Sequence, residues 1–327
     1  MAKAEPILYL SNRDLEELGL SLGEIVPILE EMFRRKASGD TVQPPKIFFH
    51  RGGPRFYSSM VSSAPGLGYA GCKWQSGDPE NPARGLSYIQ GLFILSEDAT
   101  GQPVAIMDSK WVTGNRTAAA SAVAAKHLAR RDARTIAILG CGLQGRKNLE
   151  ALKAVLPSLA RCQAYDVVAE REAAFVHETH DRWGVSVVGA GSAEGAVRGA
   201  DIVITAGPIE DHRRATLMPE WLAAGSLTIA LDYDSYVTDA AIAAADLVLT
   251  DDRGQIEDAR QREGKFTGVR RIDAELADLL TTGRGRRTHE EQRVLVFNLG
   301  IALEDLATGV EILNRARKKK AGTLLPA

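Results

Sequence analysis

At 327 residues and 45% hydrophobic composition, the chain is long enough for a substantial core and for two domains. Its 40 basic and 42 acidic residues nearly cancel, so it lacks the global field that nucleic acid or an anionic membrane would need, and a small molecule is the expected partner. The three cysteines, Cys72, Cys141 and Cys162, are odd in number and lack C-x-x-C spacing, which argues against a disulfide scaffold and a zinc site.

In chain order, "MAKAEPILYLSNRDLEELG" lacks a long apolar run, and no later stretch reaches the roughly 18 apolar residues of a membrane span, so a cytoplasmic protein is expected. Residues 12 to 38 read helical: Asn12 can cap "RDLEELG", and "SLGEIVPILEEMFRRKASG" carries apolar residues at helical spacing before a glycine stop. Short strand candidates follow in "PKIFFH", "RFYSSMVSSA", "GYAGCKW", "SYIQGLFILSE" and "PVAIMDS", separated by Gly, Pro and Asn clusters. This is an α+β block.

From about residue 117 the Ala-rich helix "TAAASAVAAKHLA" leads into apolar strands alternating with amphipathic helices: "TIAILG", "RCQAYD", "VSVVGA", "IVITAG", "LTIALD" and "LVLTD". That alternation predicts an α/β, doubly wound parallel sheet. The last helix, "GIALEDLATGVEILNRARKKK", is expected to return to the first block. The predicted domains are an α+β block of residues 1–116 with 298–327, and the doubly wound block over 117–297.

Gly140, Gly142 and Gly145 in "IAILGCGLQG" fall between a predicted strand and a predicted helix, where a tight turn and close phosphate approach both need residues without Cβ. Asp166 ends the next strand, 21 residues after Gly145, close to the roughly 20-residue interval expected of an acid that binds the adenosine ribose. Its charge would repel a 2′-phosphate, so NAD(H) is expected over NADP(H).

Arg116, in "WVTGNRTAAASAV", reads as lying in the first turn of the Ala-rich helix, where a cation opposes the macrodipole. Either a substrate carboxylate or a protein acid could relieve that conflict. Lys73 is a lone lysine in a small and aromatic strand; buried beside another cation it could shuttle a proton, and snorkelling to solvent it would do nothing. Asp232 and Asp234 follow the strand "LTIALD" at the sheet edge where ligands bind. They could hold an ammonium or relay its proton, or Asp234 or Ser235 could cap the helix "DAAIAAAD". The six histidines form no metal constellation, so no metal is expected.

The stretches "VQPPK", "GCKWQSGDPENPARGL", "GQPVAIMDSKWVTGNRTAAASAVAAKHLAR", "TIAILGCGLQGRKNLEAL", "GADIVITAG" and "FNLGIALEDLATG" together resemble the ornithine cyclodeaminase and mu-crystallin family over nearly the whole chain. The resemblance implies a Rossmann-type domain inserted in an α+β domain that binds substrate and makes a homodimer. It also implies hydride transfer between a 2-amino or 2-imino acid and a bound nicotinamide. It assigns the substrate carboxylate to Lys46 and Arg116, an active-site role to Lys73, and cofactor contacts to Gly140, Gly142, Gln144 and Asp166; Gly145 of the glycine turn and Thr205 in "IVITAG" complete the expected cofactor contacts. Two departures stand out. "LDYDSYVT" replaces the family loop "G-D-x-P-G-K", aligning Tyr233 with the family acid and flanking it with Asp232 and Asp234, and Tyr88 stands where cyclodeaminases carry a small threonine near the substrate. The resulting expectation is an NAD(H)-dependent reductase of a small 2-imino or 2-oxo acid that also runs as an amino acid dehydrogenase. The alternatives are a cyclodeaminase that releases ammonia with catalytic NAD+, and a small-ligand binding protein like mu-crystallin.

Overall fold

The structure, a computed structural model, describes residues 6–52, 55–210 and 213–326. The chain divides into two compact units: unit 1 takes the residues up to Arg116 and from Ile301 onward, and unit 2 is Thr117–Gly300. The first elements are β1 (Ile7–Leu10), α1 (Asn12–Leu18), α2 (Leu22–Ser38), β2 (Ile47–His50), β3 (Phe56–Ala64), β4 (Tyr69–Gly77), β5 (Ile89–Glu97), β6 (Pro103–Asp108) and α3 (Ser109–Leu128). Then come β7 (Thr135–Leu139), α4 (Leu143–Val155), β8 (Arg161–Tyr165), α5 (Ala169–Thr179), β9 (Ser186–Gly189), α6 (Ala193–Val197), β10 (Ile202–Thr205), β11 (Leu227–Ala230) and α7 (Asp239–Ala243). The chain closes with β12 (Leu247–Thr250), α8 (Arg253–Glu263), β13 (Ala274–Glu275), α9 (Leu276–Thr281), β14 (Val294–Phe297), α10 (Ala302–Lys319) and β15 (Thr323–Leu325).

Unit 1 is built on one sheet of order β15-β1-β6-β5-β4-β3-β2, antiparallel except where β1 runs parallel to β6. Strand alternation sends Met60, Lys73 and Phe93, which are register partners across β3, β4 and β5, to the buried face. Helix α10 packs against these three strands and against α2. Its approach needs glycine, since a Cβ at Gly309 would run into the Phe93 ring. The opposite face leaves Phe49, Val61, Trp74 and Leu92 exposed, with Trp74 stacked on Tyr57 at 5.3 Å between ring centroids. An exposed apolar sheet face of this kind marks an interaction surface.

Unit 2 is an all-parallel sheet of order β13-β12-β14-β11-β10-β7-β8-β9. Its central strands β10, β11 and β14 are buried at every residue, the signature of a sheet covered on both faces. The direction of winding reverses between β7 and β10, and such a reversal opens a crevice at the carboxyl ends of the two strands. This is the Rossmann-type α/β architecture expected, joined to a second α+β unit.

Three local readings change. The helical stretch 12–38 is two helices, because Gly19 adopts left-handed backbone (φ 65°) and ends α1, and Ser11 rather than Asn12 is the cap. The strand β14, "VLVF", lies between β11 and β12 although its four residues carried too little pattern to be read as a strand. The Ala-rich helix begins at Ser109, where the Asp108 carboxylate accepts the Lys110 and Trp111 amides at 2.9 and 3.1 Å. Among the described residues no helix is long and apolar enough to cross a membrane.

Candidate functional site

In unit 1 the sequence brings four charges together from three elements. Lys73 projects from β4, Arg116 from α3, and Glu304 and Asp305 from the first turn of α10, where acids suit the helix macrodipole. Asp305 Oδ1 accepts Lys73 Nζ at 2.8 Å and lies 2.9 Å from Arg116 Nε. Arg116 Nη1 donates to Glu304 Oε2 at 2.6 Å, and Lys73 Nζ donates to Thr113 Oγ1 at 3.2 Å. Thr113 precedes Arg116 by three residues and so shares its face of α3. All four charged side chains are buried, with Arg116 the most exposed at 4%.

Because α3 starts at Ser109, Arg116 lies well inside the helix, and the dipole conflict expected for a first-turn cation does not arise. Glu304 and Asp305 instead offset its charge. Burial, reinforced by the neighbouring Arg116, lowers the Lys73 ammonium to about 8, while Asp305 and Glu304 pull the other way. Lys73 therefore changes protonation close to neutral pH. Lys46 sits with its ammonium 5.5 Å above the Phe48 ring, and the neighbouring Gln43 Oε1 accepts the Leu303 amide at 3.3 Å, beside Glu304. Tyr88 directly precedes β5, and its carbonyl accepts the Asp78 amide at 3.1 Å.

In unit 2 the three glycines separate by physical cause. Gly140 has φ 106°, and a Cβ there would meet the Ala206 carbonyl at 2.5 Å. A Cβ at Gly145 would strike the Gly140 carbonyl. Both are required by the chain itself. Gly142, the N-cap of α4, has ordinary φ, no atom within 4 Å of its notional Cβ, and no side chain capping the helix. Among the described residues no side chain caps this end of α4, which is where a phosphate would approach the helix N-terminus.

Asp166 holds this loop: its Oδ2 accepts the Cys141 amide at 2.8 Å and its Oδ1 the Val168 amide at 3.0 Å. Gln144, in the first turn of α4, places its Oε1 3.4 Å from Asn148 Nδ2. Arg146 clamps the loop from the other side by donating to the Cys141 carbonyl. Burial, with the adjacent Asp166 charge, pushes the Cys141 thiol up to about 12, so it is not a thiolate nucleophile.

At the carboxyl ends of β10 and β11, Thr205 Oγ1 donates to Asp232 Oδ1 at 2.7 Å and the Gly207 amide to Oδ2 at 3.0 Å. Burial outweighs these hydrogen bonds and raises the Asp232 carboxyl to about 7. Tyr233 turns away into the core in left-handed backbone (φ 61°), its ring 5.3 Å from Phe266. Asp234 Oδ2 accepts the Phe266 amide at 2.7 Å and lies 3.2 Å from Arg213 Nε. Neither Asp234 nor Ser235 caps the next helix: α7 starts at Asp239, and Thr238 Oγ1 accepts the Ala241 amide.

Four residues escaped the sequence reading. Glu304 and Asp305 form an adjacent acidic pair in the otherwise small and apolar "IALEDLATG", and that pair was the available signal. Thr113 carries none. Asn298 follows β14, is buried, and has neither side-chain amide atom hydrogen-bonded among the described residues. A buried carboxamide left in this state is one that a bound group can satisfy. The described residues contain no cluster of three or more His, Cys, Asp or Glu side chains able to hold a metal ion.

The ornithine cyclodeaminase/mu-crystallin family model matches residues 8–320. The chain is 31% identical to the alanine dehydrogenase of Archaeoglobus fulgidus, with 97% of each chain covered. Its structure is similar to that of Thermococcus litoralis Delta(1)-pyrroline-2-carboxylate reductase in complex with NADH and L-proline. The TM-score is 0.88 at 26% identity, with 97% of this chain and 99% of the other covered. An archaeal alanine dehydrogenase dimer with bound NAD gives a TM-score of 0.86 at 29% identity, covering 98% of each chain.

Proposed function

The chain belongs to the ornithine cyclodeaminase/mu-crystallin family, and from that premise we propose that it is an NAD(H)-dependent oxidoreductase interconverting a small 2-imino acid and its amino acid. The observation that supports this reading most is the buried pairing of Lys73 with Arg116. Two cations are kept side by side out of water, at the cost of two carboxylates to compensate them, and an orienting seat for a substrate carboxylate gives that arrangement a use.

When bound, NAD(H) supplies or accepts the hydride. The residues that would hold it are Gly140, Gly142 and Gly145 with the first turn of α4, including Gln144, for the pyrophosphate. Asp166 would take the adenosine ribose, with Thr205 and Asn298 at the carboxyl ends of β10 and β14. The space around Gly142 and the unsatisfied Asn298 amide support the fit. Asp166 favours NAD(H) because a 2′-phosphate beside its carboxylate would be repelled.

The substrate carboxylate is assigned to Arg116 and Lys46, an orientation effect. Lys73, with its pKa near 8, hydrogen-bonds the carboxylate or the nitrogen and exchanges a proton there. Of the two acids in unit 2, Asp232 is the one we assign to proton transfer, since its carboxyl titrates near 7 while Asp234 secures the Phe266 backbone. Tyr88 is assigned to the wall of the substrate pocket. A homodimer formed through the exposed face of β2 to β5 completes the reading; the archaeal alanine dehydrogenase is itself described as a dimer.

The test is a parallel assay of the purified protein. NADH absorbance is followed with cyclic imines and with 2-oxo acids plus ammonia, and ammonia release from ornithine and lysine with catalytic NAD+. Steady NADH consumption with an imine is the expected result. Ammonia release without net change in NADH would replace this reading with the cyclodeaminase one.

A further inference from the structure

Next to the row of Met60, Lys73 and Phe93 runs a second row, in which Phe48, Ser58, Gln75 and Gly91 are register partners across β2, β3, β4 and β5. Two residues along each strand separate the rows, so they share one face of the sheet and lie about 7 Å apart. Ser58 is fully buried and Gln75 is 8% exposed, yet neither Ser58 Oγ nor Gln75 Oε1 has a hydrogen-bond partner among the described residues. The two stand on directly paired positions and still do not bond each other. From β2, Phe48 offers Ser58 only a ring, and from β5, Gly91 offers Gln75 no side chain. Helix α10 begins at Lys73, which Asp305 holds, and runs toward Gly71, whose notional Cβ would meet Leu306. The polar row lies beyond the helix start.

Buried polar atoms without partners destabilise a fold, and a bound group that supplies the missing partners offsets that cost. The carboxamide oxygen of Gln75 can only accept, while the Ser58 hydroxyl can donate or accept. The group that satisfies both therefore brings an N–H or O–H donor, which an ionised carboxylate lacks. Ser58 and Gln75 are themselves uncharged, and Lys46, with its ammonium over the Phe48 ring, is assigned above to the substrate's α-carboxylate. We infer that Ser58 and Gln75 determine side-chain specificity: they receive a substrate side chain ending in a hydroxyl or a carboxamide, in preference to an alkyl or a carboxylate end. The inference rests on the reading of Lys73 and Arg116 as the carboxylate seat.

The experiment follows NADH formation by the purified protein from NAD+ and pairs of amino acids that differ in the end group with little change in size. The pairs are L-serine with L-2-aminobutyrate, L-threonine with L-valine, L-asparagine with L-leucine, and trans-4-hydroxy-L-proline with L-proline; L-aspartate is the charged counterpart of asparagine. In at least one pair the polar member should have a kcat/KM at least tenfold the higher. Ser58→Ala and Gln75→Met each remove one unpartnered polar atom, so both variants should fold and melt no lower than wild type. In the pair that shows the preference, each should lower kcat/KM for the polar member about tenfold, chiefly through KM, and leave the apolar member within about threefold.

No polar preference in any pair, a preference that survives both substitutions, or aspartate turned over faster than asparagine would overturn the inference and leave the carboxylate seat standing. Loss of folding in either variant would show that its polar atom has a partner within the chain and would overturn the inference as well. Oxidation of none of the amino acids would overturn the seat and the inference together.

Discussion

The glycine loop of unit 2 and the charge quartet of unit 1 differ in how their parts are spaced along the chain. The loop is local: Gly140, Gly142 and Gly145 lie within six residues, and Tyr165, Asp166 and Ala206 reach it from further along the chain. The quartet joins Lys73 and Asp305, which are 232 residues apart, through the fold of α10 over β4. In the proposed function the loop offers its ligand backbone groups and open space, and the quartet offers side chains that already hold one another. Substitutions in the loop should therefore separate stability from binding, and substitutions in the quartet should strike both.

Lys73→Met tests that contrast at its largest. It removes one of the two cations that share Asp305 Oδ1 and leaves the buried carboxylates under-compensated. Activity should fall at least 100-fold and chemical denaturation should show a loss of roughly 3–5 kcal/mol. A variant of full stability with only a small change in kcat/KM would place Lys73 outside the site.

Next in size are paired glycine substitutions. Gly142→Ala meets open space at ordinary φ, so its stability should stay within ~0.5 kcal/mol of wild type while NADH titrations weaken by about tenfold or more. Gly140→Ala pushes a methyl into the Ala206 carbonyl at positive φ and should lower the melting temperature as well. Equal melting temperatures for the two would remove the distinction drawn between glycines needed by the fold and a glycine needed by a ligand.

The pH responses are smaller, and both decline as pH rises. The native Lys73 pKa, about 8 against 10.5 in a free side chain, means that protonated Lys73 is lost as pH rises through 8, so kcat/KM should fall on that limb. Asp232, raised from 3.8 to about 7, retains its proton in the native chain across a window where the unfolded chain has released it. Its contribution is thus present at acid pH and declines as pH rises from about 4 to 7. Asp232→Asn should flatten that decline in denaturation curves, and an unchanged slope would show that another group is responsible.

The smallest effect on the folded chain is expected at the exposed sheet face. Trp74→Glu should leave the secondary structure intact but lower the mass seen by sedimentation from a dimer toward a monomer. An unchanged mass would move the interface elsewhere.

The same contrast explains what the sequence made legible. The parallel sheet could be read because each strand is an apolar run followed by a helix, and the loop because its chemistry lies within one turn. Lys73 and Arg116 stood out as cations in apolar stretches, but nothing local paired them with each other or with Glu304 and Asp305. Arg116 was also given the wrong position in its helix, since Asp108 starts α3 ahead of the alanine-rich stretch that drew attention. Asn298 was invisible for a different reason: its interest lies in the hydrogen bonds it does not make, and only packing reveals those.

The most direct measurement is equilibrium binding of NADH and of the amino acid product to the wild type and to Arg116→Ala, run side by side on folded protein. If the two regions divide the work as described, the variant loses the amino acid by about 100-fold or more and keeps NADH within about threefold. Equal loss of both, or amino acid binding that survives the substitution, would contradict the assignment of the carboxylate to Arg116.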